Sequence, residues 1–288
     1  MATTLTDIKR RISTTGQIRR VTATLQKVAS AKLTQDLQRI ANANIYFEKI
    51  CEMLRLAHDA LPPNAPIHPL MTPQPGNKTC LIVLGSDRGL CGAFNTELME
   101  HTRNFIKANP DDEIQLLFRG KVVYRRALRL KMENIEAIEN IDDVAGRMQQ
   151  DFLDSKVSRT FIIYWDYITG ANQQVVTEQV LPTPFTAKNM HAADKSKKTK
   201  KQKSYDSGLI EPGAFELITA LLPEYVRCCI HNGFYNSLVS ENTQRRASMS
   251  RATENAGEML VELKKIYSRL RQENITTEML EIIAGLDR

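Results

Sequence analysis

A strand, a glycine-rich turn and a helix, in that order, form the local arrangement in which a helix N-terminus can hold a phosphate. Residues 85–95, GSDRGLCGAFN, stand in that context. Their glycines fall at Gly85, Gly89 and Gly92. That is not the GxGxxG spacing of a dinucleotide turn, and no Lys-Ser/Thr pair follows as in a P-loop. The segment reads as a tight strand-to-helix turn whose glycines serve conformation and close packing. Glu278 and Glu281 are near neighbours on a helical stretch. Their spacing suits a solvated helix face better than an acid–base dyad. The five cysteines, Cys51, Cys80, Cys91, Cys228 and Cys229, match neither zinc nor CxxC spacing and read as reduced thiols. The five histidines form no HExxH or triad-like pattern. The expectation is no catalytic residue, no cofactor and no metal, but an interaction surface.

The composition agrees with long helices. Of 288 residues, 42% are hydrophobic, 25% charged and only 6% aromatic, which fits a helical chain better than a compact β-rich core. A net charge of +6 admits nucleic acid, acidic lipid or acidic protein as partners and chooses none of them. No window approaches twenty apolar residues, so no membrane span is expected. The start, MATTLTDIKRRIS, has no apolar core of a secretory signal, and Asp7 argues against an acid-poor transit peptide.

Two periodic segments at opposite ends must position any such surface. Over residues 5–56, Ile18, Val21, Leu25, Val28, Leu33, Leu37, Ile40, Asn44, Phe47, Cys51 and Leu54 recur in steps of three and four, a heptad-like seam. Gly16 is its weak point. A helix of that span is about 75 Å long and needs a partner for its seam. Residues 212–285 carry the matching stripe, through Phe215, Ile218, Leu222, Tyr225 and Cys229, then Met249, Met259, Leu260, Leu263, Ile266, Tyr267, Leu270, Ile275, Met279, Ile282 and Ile283. Between 240 and 257 it thins to small and polar residues. Pro223 could kink this helix, and Gly233 is a second soft point. Between the two segments lie a proline-rich stretch at 61–77, which reads as an extended linker, and alternating strand and helix patterns from 78 to 181. Strands are predicted in TCLIVLGSD, EIQLLFRG, RTFIIYWDYIT and QQVVTEQVLP; helices in FNTELMEHTRNFIKAN, VVYRRALRLKM and NIDDVAGRMQQDFLDSKV. A lysine cluster at 195–203 reads as a solvated loop. The predicted organisation is an N-terminal coiled-coil helix (1–60), a linker (61–77), an α/β domain (78–187), a lysine-rich loop (188–211) and a C-terminal coiled-coil helix (212–288). The fold class is mixed α and β: a long antiparallel coiled coil with a small inserted Rossmann-like α/β domain.

Three segments resemble the gamma subunit of the rotary, F-type ATP synthase. Residues 86–95, SDRGLCGAFN, look like its SD(K/R)GLCG(G/A)(F/Y)N signature. Residues 240–256, SENTQRRASMSRATENA, resemble SExxARMxAMxxATxNA, and residues 271–285, RQENITTEMLEIIAG, resemble RQxxITxEIxEIxxG. Residues 8–33 match more loosely. The resemblance implies a coiled-coil shaft inside a ring of α and β subunits, turned by proton (or sodium-ion) flow, with an epsilon subunit and a membrane c-ring as further partners. The chain would serve ATP synthesis and hydrogen-ion transport without a catalytic site of its own, as a peripheral protein at the cytoplasmic face of a bacterial inner membrane, with no nucleic-acid partner. It further implies subunit contact or coupling at Leu25, Arg245, Met249, Arg271, Gln272, Thr276, Glu278 and Glu281. The signature loop comprises Asp87, Arg88, Gly89, Leu90, Cys91, Gly92 and Asn95.

This sequence departs from the family in places. Arg246 stands where Met is usual and Lys27 where an apolar residue is usual, which suggests a more charged waist if the two face each other. The chain stops soon after Gly285, and residues 204–212 only partly resemble SWDYxYEP. Two other classes stay open on the residues alone: a coiled-coil adaptor without a rotary role, and a nucleotide-binding α/β enzyme with helical arms. The V-type central stalk lacks the α/β insertion.

Overall fold

The computed structural model describes residues 4–62, 64–170, 172–183, 211 and 213–286. The lysine cluster and residues 204–210 lie outside them. The chain forms two compact units. One is Leu33–Asn242; the other joins Met1–Lys32 with Thr243–Arg288. Two long helices run through both: α1 (Leu5–Asp59) and α5 (Ala214–Leu286).

The unit Leu33–Asn242 is built on a five-stranded sheet in the order β3-β2-β1-β4-β5. Its strands are β1 (Lys78–Leu84), β2 (Glu113–Arg119), β3 (Ile135–Ile138), β4 (Arg159–Tyr167) and β5 (Gln173–Leu181). All of β1 after Lys78 is buried, as a continuous apolar run in a parallel sheet must be. β1 pairs in parallel with β2 and β4, β2 with β3; β5 closes the other edge antiparallel to β4. Alternate residues divide the core between two faces. Leu81, Val83, Phe118 and Trp165 meet α2 (Phe94–Ala108) and α3 (Lys121–Arg129) through Phe94, Leu98, Val123 and Ala127. Cys80, Ile82, Leu84 and Ile162 meet α4 (Ile141–Leu153), Ile50 and Leu54 of α1, and Leu222 and Val226 of α5.

Sequence and structure part in three places here. β3 was not predicted: it has four residues, none buried, on an edge, and so shows no apolar run. The proline-rich stretch is not a free linker. Pro69–Met71 forms a 3-10 turn, Leu70 is 1% exposed, and both the amide and the hydroxyl of Thr183 donate to its carbonyl, at 2.9 and 3.2 Å. Gly233 is not a soft point but a close approach. A Cβ there would lie 2.9 Å from Ile162 Cδ1 and 3.1 Å from the Tyr164 ring. Glycine lets α5 lie down on the sheet. Around it α5 is tied to strand ends: Ser237 Oγ donates to Leu84 O and accepts from Trp165 N, both at 3.2 Å, and Asn236 Oδ1 accepts from Tyr167 N at 3.3 Å. Pro223 is accommodated inside α5, its carbonyl taking a 2.8 Å bond from Gln149 of α4. Where α1 and α5 pair in this unit, Leu33, Ile40 and Val239 form a small apolar cluster beside a buried polar link, Asn242 Nδ2 to Asp36 Oδ2 at 2.8 Å.

The other unit is an antiparallel helix pair. Contacts fall in opposite chain order: Thr15 Oγ1 with Met259 Sδ at 3.9 Å, Thr22 with Thr253 at 2.8 Å, Gln26 with Ser250 at 3.3 Å. The seam runs Ile8, Thr15, Thr22, Gln26, Ala29 on α1 and Met249, Thr253, Ala256, Leu263 on α5. These are steps of three, four and seven, a heptad pattern. The expected α1 stripe is displaced from it. Ile18, Val21 and Val28 are 50%, 57% and 48% exposed. At about 100° per residue their row lies roughly a quarter turn round the helix from the seam. Between Ile8, Met249 and Leu263 the seam is made of small and polar side chains, while the apolar Ile18, Val21 and Val28 face outward. Lys27 and Arg246 are both exposed and neither enters the seam, so the expected charged waist is not a facing pair.

Candidate functional site

The signature loop closes on itself. Asn95, in the first turn of α2, accepts from Ser86 N through Oδ1 at 3.2 Å and donates through Nδ2 to Ser86 Oγ at 2.7 Å. Ser86 Oγ in turn donates to Arg88 O at 2.8 Å. Ser86, Cys91 and Asn95 are all buried. Gly92 has φ +60°, which its missing Cβ permits. Leu90 takes φ +64° with a full side chain and stands 63% exposed. Nothing in the structure explains glycine at Gly89. Asp87 is held by Arg119 Nη1 at 2.8 Å and the Lys121 amide at 3.3 Å. Partial burial opposes its ionisation, but the Arg119 guanidinium and that amide outweigh it and keep the carboxyl below its ordinary range. Arg119 lies 5.3 Å from the Phe234 ring centre, joining the loop to α5. Gly120, at φ +111°, lets the chain pass so close that a Cβ would sit 2.6 Å from the Gly85 carbonyl.

This geometry leaves little for a phosphate. At the start of α2 the amides of Phe94, Thr96 and Glu97 already donate to Cys91 O and Ala93 O. In doubly wound sheets ligands bind where the strand order reverses, beyond the carboxyl ends of the strands. Here that point lies between β1 and β4, and it is filled from two sides. Ser237 of α5 bridges the two strand ends. On the other side Phe94 stacks on Trp165 at 5.6 Å and its carbonyl accepts the indole N–H at 3.1 Å. A cavity of about 570 Å³ at the opposite ends of the strands is lined by Lys78, Glu113, Glu136, Arg147, Asp151 and Lys156. These side chains pair among themselves: Lys78 with Glu113, Arg147 with Glu136 and Asp151, Lys156 with Asp151.

The expected contact residues separate into groups. Arg271, Gln272, Thr276 and Glu278 are exposed, as is every residue from 271 to 280. Thr276 donates to Gln272 O at 2.9 Å, which leaves its hydroxyl oxygen free only as an acceptor. Glu281 belongs to α5, but its side chain lies outside the described residues. Leu25 and Arg245 are half-buried. Met249 requires a correction: at 3% exposed it sits in the helix–helix seam and presents no surface to another subunit. Within the signature loop the exposed side chains are those of Asp87, Arg88 and Leu90; Cys91 and Asn95 are internal supports. Sequence reasoning missed the outward row Ile18, Val21, Val28 as a surface, and missed Asn236 and Ser237 as anchors. A heptad count through polar positions would have found the first. Nothing in the sequence pattern singles out the second.

The family model described as ATP synthase matches residues 4–287. Among curated relatives, the ATP synthase gamma chain of Geotalea daltonii is 31% identical over 98% of both chains. That of Halothermothrix orenii is 30% identical over 99% of this chain and 98% of its own, and that of Clostridium perfringens 29% over 98% and 97%. In fold the chain is similar to one from the Euglena gracilis mitochondrial ATP synthase (OSCP/F1/c-ring), with TM-score 0.63, 14% identity and coverage of 98% and 93%. It is also similar to one from the Tetrahymena thermophila mitochondrial ATP synthase central stalk, with TM-score 0.54, 18% identity and coverage of 81% and 99%. With the family model spanning nearly the whole sequence and relatives matched end to end, the chain belongs to the ATP synthase gamma chain family.

Proposed function

We propose that this chain is the central rotor of a proton- (or sodium-) translocating F-type ATP synthase, carrying torque between a membrane c-ring and a catalytic ring of α and β subunits. It has no catalytic site of its own. Its further partner is an epsilon subunit, and its place is peripheral, at the cytoplasmic face of a bacterial inner membrane. No helix of the described residues is long and apolar enough to cross a membrane.

The observation that carries the reading is the outer surface of the helix pair. Apolar side chains face outward along α1, and α5 runs past the start of α1 with every residue from 271 to 280 exposed. Such a surface makes sense inside a sleeve. Arg271, Gln272, Thr276 and Glu278 offer it hydrogen bonds of about 1 kcal/mol, somewhat more when charged, weak enough to exchange as successive β subunits come round. The signature loop, with Leu90 and Arg88 exposed on a rigid base, is a second contact on the same assembly.

The test is reconstitution. Purified chain mixed with α and β subunits is expected to yield a complex that hydrolyses ATP, while the chain alone binds neither ATP nor NAD in equilibrium dialysis. Saturable nucleotide binding to the chain alone, lost on Arg88→Ala, would contradict the non-catalytic assignment.

A further inference from the structure

Among the described residues of the helix pair, more large apolar side chains are exposed than are buried. In the unit formed by Met1–Lys32 and Thr243–Arg288, the buried apolar residues among those described are Ile8, Ala29, Met249, Ala256 and Leu263, two of them alanines. Ile18, Val21, Val28, Met259, Val261 and Ile266 are exposed, and so are Ile275, Met279, Leu280 and Ile282. The rest of the seam is polar: Thr15, Thr22, Gln26, Ser250 and Thr253. Hydrogen bonds of this kind replace bonds to water and add little net stability. Helices draw most of their stability from a packed apolar face, and here that face is thin.

Charge works in the same direction. Residues 1–32 carry Lys9, Arg10, Arg11, Arg19, Arg20, Lys27 and Lys32 against a single acid, Asp7. Among the described residues none of these seven cations makes an ion pair within 4 Å. Asp7 instead caps the helix start through Thr4, its Oδ2 accepting the Thr4 hydroxyl at 2.7 Å. Concentrated charge of one sign repels itself and opposes compaction unless opposite charge is brought close. A partner that is acidic at its rim and apolar at its centre would relieve both faults at once. A second copy of this chain would not, because it brings the same positive charge.

We infer that this helix pair completes its folding only when enclosed by an acidic, apolar-centred protein sleeve, so that subunit assembly and formation of the pair are one coupled step. The identity of the sleeve as the α and β ring rests on the function proposed above. The unit Leu33–Asn242, with its own two-faced core, is folded beforehand. Folding on binding is the usual route for segments that cannot bury enough apolar surface alone.

Amide hydrogen exchange on the full chain tests this. In the free chain, amides of residues 15–29 and 246–280 are expected to exchange nearly as fast as unstructured peptide, and those of β1 and of residues 218–239 slowly. In complex with α and β subunits the first set is expected to slow by about 100-fold or more. A variant with an apolar seam, Thr15→Leu/Thr22→Leu/Gln26→Leu, is expected to gain protection in the free chain. Slow exchange of both segments in the free wild-type chain would overturn the inference and leave the rotor reading intact. Fast exchange in the free chain with no slowing by α and β subunits would overturn the protein sleeve. Slowing instead by vesicles of phosphatidylglycerol and phosphatidylethanolamine would replace it with a membrane surface.

Discussion

At the scale of the residue, function depends on close approaches that only particular side chains permit. Gly120 combines φ +111° with a backbone 2.6 Å from where its Cβ would be. Gly120→Ala should therefore cost about 3 kcal/mol or more in urea unfolding, through strain and displacement of the signature loop. Gly233→Ala should cost about 1–3 kcal/mol, because the Tyr164 ring it meets is fixed by the bond from its hydroxyl to Glu178 Oε2 at 2.9 Å. Glu178 itself gives a pH signature. Burial raises its pKa above the ordinary 4.5; the Tyr164 bond lowers it, and Asp166 raises it further. Cys51 of α1 and Tyr225 and Cys229 of α5 lie in the same neighbourhood, their protonated forms favoured by burial. The folded chain thus holds the Glu178 proton more tightly than the unfolded chain. Its contribution is fully present below about pH 4.5 and is lost as pH rises through the raised value. Glu178→Gln, which keeps an acceptor for Tyr164, should flatten the loss of stability above pH 4.5 in denaturation measured across pH. An unchanged slope would show that Glu178 ionises freely.

At the scale of the element, the strands and helices of the sheet unit were legible because continuous apolar runs are hard to place except as buried parallel strands. β1, buried at every position after Lys78, is the clearest case. β3 was illegible because an edge strand of four half-exposed residues has neither run nor alternation. The helix pair was legible in its existence and direction but not in its face. Apolar periodicity identified Ile18, Val21 and Val28, whereas the pairing geometry uses Thr15, Thr22, Gln26 and Ala29. On the function proposed above, the apolar row serves a partner that the sequence of one chain does not contain. The exposed group Arg271, Gln272, Thr276 and Glu278 supports a prediction that separates folding from coupling. Single alanine variants should leave the chain's own stability within about 0.5 kcal/mol, since these side chains make no buried contact. Each should lower ATP hydrolysis and ATP-driven pumping of the assembled complex moderately. The quadruple variant should also weaken assembly. If it assembles, hydrolyses and pumps at the wild-type rate, coupling lies elsewhere, with Leu25 and the outward row beside it the first alternatives.

At the scale of the whole molecule, the inferred acidic sleeve implies that the positive charge of residues 1–32 draws the chain to its partners. Steering between a basic helix and an acidic ring weakens as salt screens it, with a Debye length of about 10 Å at 0.1 M and 3 Å at 1 M. The association rate with α and β subunits should fall roughly tenfold or more between low and high salt, with a smaller change in dissociation. A rate independent of salt would remove electrostatics from assembly. The central claim, that the chain turns, is tested by attaching a bead to a single introduced thiol at the exposed position Lys107→Cys in α2, in a complex whose α and β subunits are fixed to a surface. The account expects the bead to rotate in one direction, at a speed set by ATP, and to stop when a crosslink joins Arg271→Cys to a β subunit. ATP hydrolysis with a stationary bead, or at an undiminished rate in the crosslinked complex, would contradict it.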